Sequence, residues 1–182
     1  THCISSAASD VYKRQELYIM KVIFLDIDGV LNSNFWNDTH QREISDGTLI
    51  DEEKVMLLGQ LIRNTSAKVI LHSGWKFWFD SEVKPLRREA ERLISMLEKE
   101  GIKVNGVTPD HTTEEIRKSK KFSLVKASEI LAWVSQYDNI EKWIVIDDLD
   151  LHNEEIRKHQ ILTDASIGLT VENICEAERL LL

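Results

Sequence analysis

The chain has 182 residues, 42% of them hydrophobic and 30% charged, with a formal net charge of −8 at pH 7. That length suits one domain with a sizeable buried core, and the acidic balance argues against general coating of DNA or RNA, which needs Lys and Arg to neutralise phosphates. No apolar run approaches the ~20 residues that span a bilayer, and the two cysteines, Cys3 and Cys175, lie at opposite ends with neither a metal-type spacing nor a disulfide framework, so a reducing, cytoplasmic setting is expected.

Residues 1–19 contain no initiator Met and no secretory apolar segment, and are expected to be a non-native or disordered extension. Met20 then opens the sequence MKVIFLDIDGV, the expected start of a single domain over 20–182. Residues 21–26 are a short β-branched and aromatic run of the kind that forms a buried parallel strand. Residues 51–63 have helical periodicity, with Val55, Leu58 and Ile62 on one side and acidic residues in the first turn. A second strand is expected over 68–72. A long amphipathic helix over 81–100 follows, carrying Leu86, Ala90, Leu93, Ile94 and Leu97 and stopped by Gly101. Residues 102–107 read as a third strand, 110–121 as a polar, basic loop, and 123–136 as a helix capped by Ser123. Residues 142–147 make a fourth strand, 159–163 a fifth and 171–182 a last helix. Strands alternating with helices predict an α/β fold with a central parallel sheet of about five strands and helices on both faces, a three-layer Rossmann-like architecture. In such folds the site lies at the carboxyl ends of the strands.

Three of these strand ends carry reactive side chains. Asp26 and Asp28 are two apart at the end of the first strand and so can face one site, and Gly29 lets the backbone turn behind them. Two neighbouring carboxylates repel, so a cation or a shared proton is needed to hold both. Ser73 follows the second strand, where a hydroxyl and nearby backbone N–H groups can hold phosphoryl oxygens. Asp147 and Asp148 end the fourth strand. Taken singly, each has a plain structural reading: an Asp-Gly or Ser-Gly turn, or a packing role for His72 and Trp75. Asp150 reads as a helix cap or surface charge.

The residues FLDIDGVLN at 24–32, Ser73, and WIVIDD at 143–148, in that order, resemble the motifs of haloacid dehalogenase (HAD) superfamily phosphatases. The resemblance implies Asp26 as a nucleophile that takes the phosphoryl group, and Asp28 as the acid that protonates the leaving group and then activates water. It implies Ser73 as a phosphate ligand and a lysine that neutralises the transferring group. Lys126, opening the helix before the fourth strand, matches that lysine by its order in the chain, with Lys120 and Lys121 as the alternatives. Magnesium is the implied cofactor, held by Asp26, Asp28 through its carbonyl, Asp147 and Asp148, with phosphate and water completing the oxygen shell. Trp75, the spacing from Trp143 to Asp147-Asp148, and Gly168-Leu169-Thr170 with the last helix resemble one subgroup, the small HAD domains associated with RNA-repair proteins. Polynucleotide 3′-phosphatases share the Asp-Asp form of the metal motif. That subgroup usually has Ser-Trp-Arg where this chain has Ser73-Gly74-Trp75-Lys76.

Residues 33–50, which include Asn34, Phe35, Trp36 and His40, are too short for a large helical cap, so a minimal cap and an open site are expected. Gly74 and Trp75, the latter as a platform for a base or ring, and the basic residues Lys118, Lys120 and Lys121 are candidate substrate contacts. The expected activity is that of a magnesium-dependent phosphomonoesterase acting through an aspartyl phosphate on a nucleotide or a polynucleotide 3′-phosphate. Its partner would be a phosphorylated small molecule or a nucleic-acid end, with no membrane involved. The alternatives are a small-metabolite phosphatase and a non-catalytic binding module of the same fold.

Overall fold

The computed structural model describes residues 19–33, 41–45, 48–119 and 122–182. Seven strands are described: β1 (Met20–Leu25), β2 (Gln41–Ser45), β3 (Thr48–Asp51), β4 (Lys68–Leu71), β5 (Val104–Val107), β6 (Ile140–Asp147) and β7 (Gln160–Leu162). The helices are α1 (Glu52–Thr65), α2 (Arg88–Lys99), α3 (Glu114–Ser119), α4 (Phe122–Val134), α5 (Glu154–Arg157) and α6 (Val171–Leu181), with a 3-10 helix over Gly74–Trp78.

Five strands make one parallel sheet in the order β5-β4-β1-β6-β7. The chain runs outward from β1 through β4 to β5, then crosses back to place β6 on the other side of β1. Alternation along β1 divides the core. Ile23 and Leu25 face α1, α2 and α6, through Leu58, Leu61, Leu93, Leu97, Ile174 and Leu181. Val22 and Phe24 face α4 and α5, through Ala127, Ile130, Trp133 and Ile156. This is the expected three-layer arrangement. The reversal of direction between β1 and β6 marks the crevice where such sheets bind ligands.

Helix α2 begins at Arg88, seven residues later than the periodicity predicts. The Asp80 carboxylate accepts the N–H groups of Glu82 and Lys84, at 2.9 and 2.8 Å. Val83 adopts a positive φ of 62°, and Pro85 has no N–H to donate. The segment therefore turns, and Leu86, assigned by periodicity to the apolar face, is exposed. Residues 114–119, expected to be loop, form the short α3. Ser123 lies inside α4 and does not cap it. Asp150 takes the His152 N–H in a turn, and the cap of α5 is Asn153.

After the first motif, β2 and β3 form an antiparallel hairpin. Its last residue, Asp51, caps α1 by accepting the Glu53 N–H at 2.9 Å. The hairpin takes the place in the chain where a minimal cap is expected. Residues 1–18, Asn34, Phe35, Trp36 and His40, and Lys120 and Lys121 fall outside the described residues. No helix among the described residues is long and apolar enough to cross a membrane.

Candidate active site

Hydrogen bonding between strands continues one residue past the carboxyl edge of the sheet. Thr108 donates its N–H to Leu71, His72 to Leu25, Asp26 to Ile146 and Thr163 to Asp147. These residues form a row of buried polar side chains on an otherwise apolar sheet. Side-chain alternation turns Asp26, His72 and Asp147 towards the α4 layer, the side of Phe24, Ile70 and Val145. Lys126, in the second turn of α4, meets them there.

The Lys126 Nζ donates to Asp26 Oδ2 at 2.6 Å and to Asp147 Oδ2 at 2.9 Å. Asp26 Oδ1 accepts the Ile27 N–H at 2.8 Å. Burial pushes the Asp26 pKa upward, but the Lys126 charge and hydrogen bond outweigh it, so this carboxyl titrates below its ordinary value. Burial lowers the Lys126 pKa, and the two carboxylates more than reverse that. Asp147 is raised to about 6, by burial first and then by the charge of Asp26. Asp148, half-buried, is raised to about 6 by burial and by its neighbours Asp147 and Asp26. His72 is fully buried, with Nε2 3.5 Å from Asp147 Oδ2 and no hydrogen-bond partner for either ring nitrogen. Burial, reinforced by the Lys126 charge, lowers its pKa to about 3, so the imidazole is neutral at physiological pH.

Asp28 stands apart from this cluster and is exposed to the cavity. Its Oδ2 accepts the Trp75 indole N–H at 3.0 Å and its Oδ1 accepts the Asn32 amide at 2.9 Å. Asn32 in turn accepts the Gly29 N–H at 2.8 Å. Ser73 caps the 3-10 helix by accepting the Trp75 N–H at 3.4 Å, and it lines the cavity beside Asp26. The cavity holds about 500 Å³.

A family model described as the HAD domain in Swiss Army Knife RNA repair proteins matches residues 22–174. The chain belongs to this family. None of the curated proteins compared with it matches. Membership in the HAD superfamily supports phosphohydrolase chemistry of the HAD type in general, and the matched span covers every motif residue from Asp26 to Asp148.

Within this HAD domain Asp26, Asp28, Ser73, Gly74 and Lys126 all line one cavity. Asp147 and Asp148 lie beside it. One oxygen each of Asp26, Asp147 and Asp148 fall within 4.8 Å of one another, a set able to hold a metal ion. Trp75 is placed differently from a substrate platform. It is 4% exposed, its ring packs on Trp78 with centroids 4.4 Å apart, and its polar edge points at Asp28. Lys118 is exposed on α3 and does not line the cavity, whereas its neighbour Arg117 does.

Sequence reasoning passed over Lys76, Glu129 and Asn32. Lys76 is buried and paired with Glu129 at 2.6 Å. Its position three residues after Ser73 was a usable signal, but a lysine between Trp75 and Phe77 carries no mark of burial. Asn32 was quoted only as the end of a motif.

Gly29 has φ +72°, and a Cβ there would sit 2.6 Å from Asp148 Cγ. Gly29→Ala therefore strains the backbone and displaces a candidate ligand together. We expect a loss of about 1–3 kcal/mol, read as a melting temperature lower by roughly 2–12 °C in a chain of this size. An unchanged melting curve would contradict the close Gly29–Asp148 packing.

Proposed function

We propose that the chain is a magnesium-dependent phosphomonoesterase that works through an aspartyl phosphate on Asp26. The observation that carries this reading is the Lys126 ammonium set between the Asp26 and Asp147 carboxylates at the floor of an open cavity. Such an ammonium keeps Asp26 ionised and stands ready to neutralise charge on a transferring phosphoryl group.

The residues fit a divalent cation. Three carboxylates are clustered, one ammonium offsets them, and His72 is neutral, so the cluster is short of positive charge. Asp26, Asp147 and Asp148 would hold magnesium, with the Asp28 carbonyl as a further oxygen donor. When bound, the ion supplies charge neutralisation to the nucleophile and phosphoryl oxygens.

Asp26 attacks phosphorus in line: the Asp26 O–P bond forms as the P–O bond to the leaving group breaks. Ser73 and Lys126 hold the phosphoryl oxygens. Asp28, accessible from the cavity and fixed by Trp75 and Asn32, gives its proton to the departing alkoxide. It then takes a proton from the water that splits the aspartyl phosphate, which restores both carboxyls. A non-catalytic binding module has no chemical use for a second carboxylate so oriented.

The substrate we favour is a nucleotide or a polynucleotide 3′-phosphate, supported by the RNA-repair proteins named in the family description. Arg117, at the cavity, takes the substrate-holding role first sought in Lys118. A cytoplasmic location goes with this proposal, on the sparse cysteines.

The test is phosphate release, with and without magnesium, from sugar phosphates, mononucleotides and 3′- or 5′-phosphorylated oligonucleotides. Metal-dependent release from at least one is expected. Folded protein that releases phosphate from none of them would instead favour a binding module.

Thermal stability gives a second check. A carboxyl whose pKa is raised on folding stabilises the fold most below its ordinary value, 3.8 for Asp147 and Asp148, and loses that contribution as pH rises through about 6. The opposite shift of Asp26 acts below that window. A cation bound to the ionised cluster offsets the loss. The gain in melting temperature on adding magnesium is therefore expected to be larger at about pH 7.5 than at about pH 5.5. Equal gains would count against Asp147 and Asp148 as ligands.

A further inference from the structure

The reacting groups occupy only the floor of the cavity, and its walls are of a different character. Phe77, Phe122, Val125 and Leu149 line them. Phe77 is 52% exposed, Phe122 44% and Leu149 41%. These three belong to neither hydrophobic core cluster, so packing of the fold does not account for them. They come from three separate elements: the 3-10 helix after Ser73, the first residue of α4, and the segment after Asp147-Asp148. Large apolar side chains converging on a charged floor mark a site for a ligand with one anionic end and one apolar body. Thr112 and Arg117 interrupt these walls, and the paired Lys76 and Glu129 side chains also reach the lining.

Resting on the phosphohydrolase reading, we propose that Phe77 and Phe122 are specificity-determining residues that stack on the base of a nucleoside phosphomonoester. With the phosphate fixed at Asp26 and Lys126, the rest of the substrate must lie against these walls. A sugar phosphate would press hydroxyls onto apolar surface and lose their hydrogen bonds to water. A nucleobase offers flat faces to the phenyl rings and a polar edge to Thr112 and Arg117. The Lys76 ammonium lies over the Phe77 ring, 5.4 Å from its centroid. A plain phenyl group would stack but leave the polar side chains without partners. The cavity, about 500 Å³, lies in the range of sites that enclose molecules of nucleotide size. The shared chemistry is a base and a terminal phosphate, found both in a free mononucleotide and at the end of an oligonucleotide.

Matched pairs test the proposal, because the members of each pair lose phosphate from the same type of oxygen, a primary sugar hydroxyl in one pair and a secondary one in the other. One pair is adenosine 5′-monophosphate and ribose 5-phosphate. The other is a 3′-phosphorylated trinucleotide with and without its terminal base. The value of kcat/KM should be roughly 10- to 100-fold higher for the member that has the base, and the pair with the larger ratio identifies the source. Joint replacement Phe77→Ala and Phe122→Ala should bring the ratio to about one, while Phe77→Trp or Phe122→Trp should keep it. Both positions are exposed, so melting curves should show the variants folded. A wild-type ratio within about twofold of one, or an undiminished ratio in the double variant, would overturn the proposal. If no phosphomonoester is cleaved, the phosphohydrolase reading fails separately. Calorimetry on the wild-type protein then decides the base site, and adenosine 5′-monophosphate binding no tighter than ribose 5-phosphate would end it.

Discussion

Asp26→Asn is expected to lower phosphate release from every substrate by roughly 10⁴-fold or more, the scale of losing a covalent nucleophile. Asparagine has the same shape, and its oxygen can keep the 2.8 Å bond from the Ile27 N–H. What disappears is the ionised oxygen that Lys126 holds at 2.6 Å. The variant should fold, because the rest of the sheet edge is untouched and Lys126 keeps Asp147 at 2.9 Å. Asp28→Asn tests the other half of the mechanism. Loss of an acid–base group costs about 10²–10⁴-fold, and the cost should shrink for aryl phosphates, whose leaving groups need little protonation. Asp26→Asn should show no such dependence on the leaving group. If the two variants responded identically across alkyl and aryl phosphates, the assignment of nucleophile and acid to these two carboxyls would fail.

The parts of this molecule that were legible in the sequence share a physical cause. Strands β1 and β4 and the second half of β6 are buried on both faces, so they appear as apolar runs, and the polar residues that end each run, Asp26, His72-Ser73 and Asp147, lie at the carboxyl edge of the sheet. That is why Asp26, Ser73 and Asp147 could be brought to one site by reading strand ends. Lys126 needed order within a family, because nothing in KASEILAWV distinguishes a buried lysine from a solvated one. The start of α2 lies later than the periodicity predicts, and Pro85 was the legible signal against a helix through 81–87. The competing interaction, the Asp80 carboxylate collecting two backbone N–H groups, is a property of three-dimensional geometry. In the sequence Trp75 carries two readings, packing and a stacking platform for a base or ring. Its indole N–H instead fixes Asp28, across 47 residues of sequence, and no local pattern encodes that pairing.

Lys76 and Glu129 supply the largest stability effect expected outside the reacting groups. Their side chains are 6% and 3% exposed and meet at 2.6 Å. Lys76 also donates to the Pro109 carbonyl at 2.8 Å and approaches the Thr108 hydroxyl at 3.4 Å, while Glu129 accepts the His111 N–H at 2.9 Å. Both charges are thus satisfied, and each single loss strands its partner in a buried place. Lys76→Met or Glu129→Leu alone should cost about 3–5 kcal/mol, a melting temperature lower by roughly 6–20 °C. The double variant should recover much of this, because an apolar pair of similar volume avoids the desolvation that the ion pair must overcome. Additive losses in the double variant would show that the two side chains act independently. The pair also joins the 3-10 helix that follows Ser73 to α4, with Glu129 one helical turn beyond Lys126. A double variant that regained stability but kept a lowered kcat would therefore separate the two roles: apolar packing can replace the pair in holding the fold, while only the hydrogen-bonded pair sets Ser73 and Lys126 at the right distance from each other.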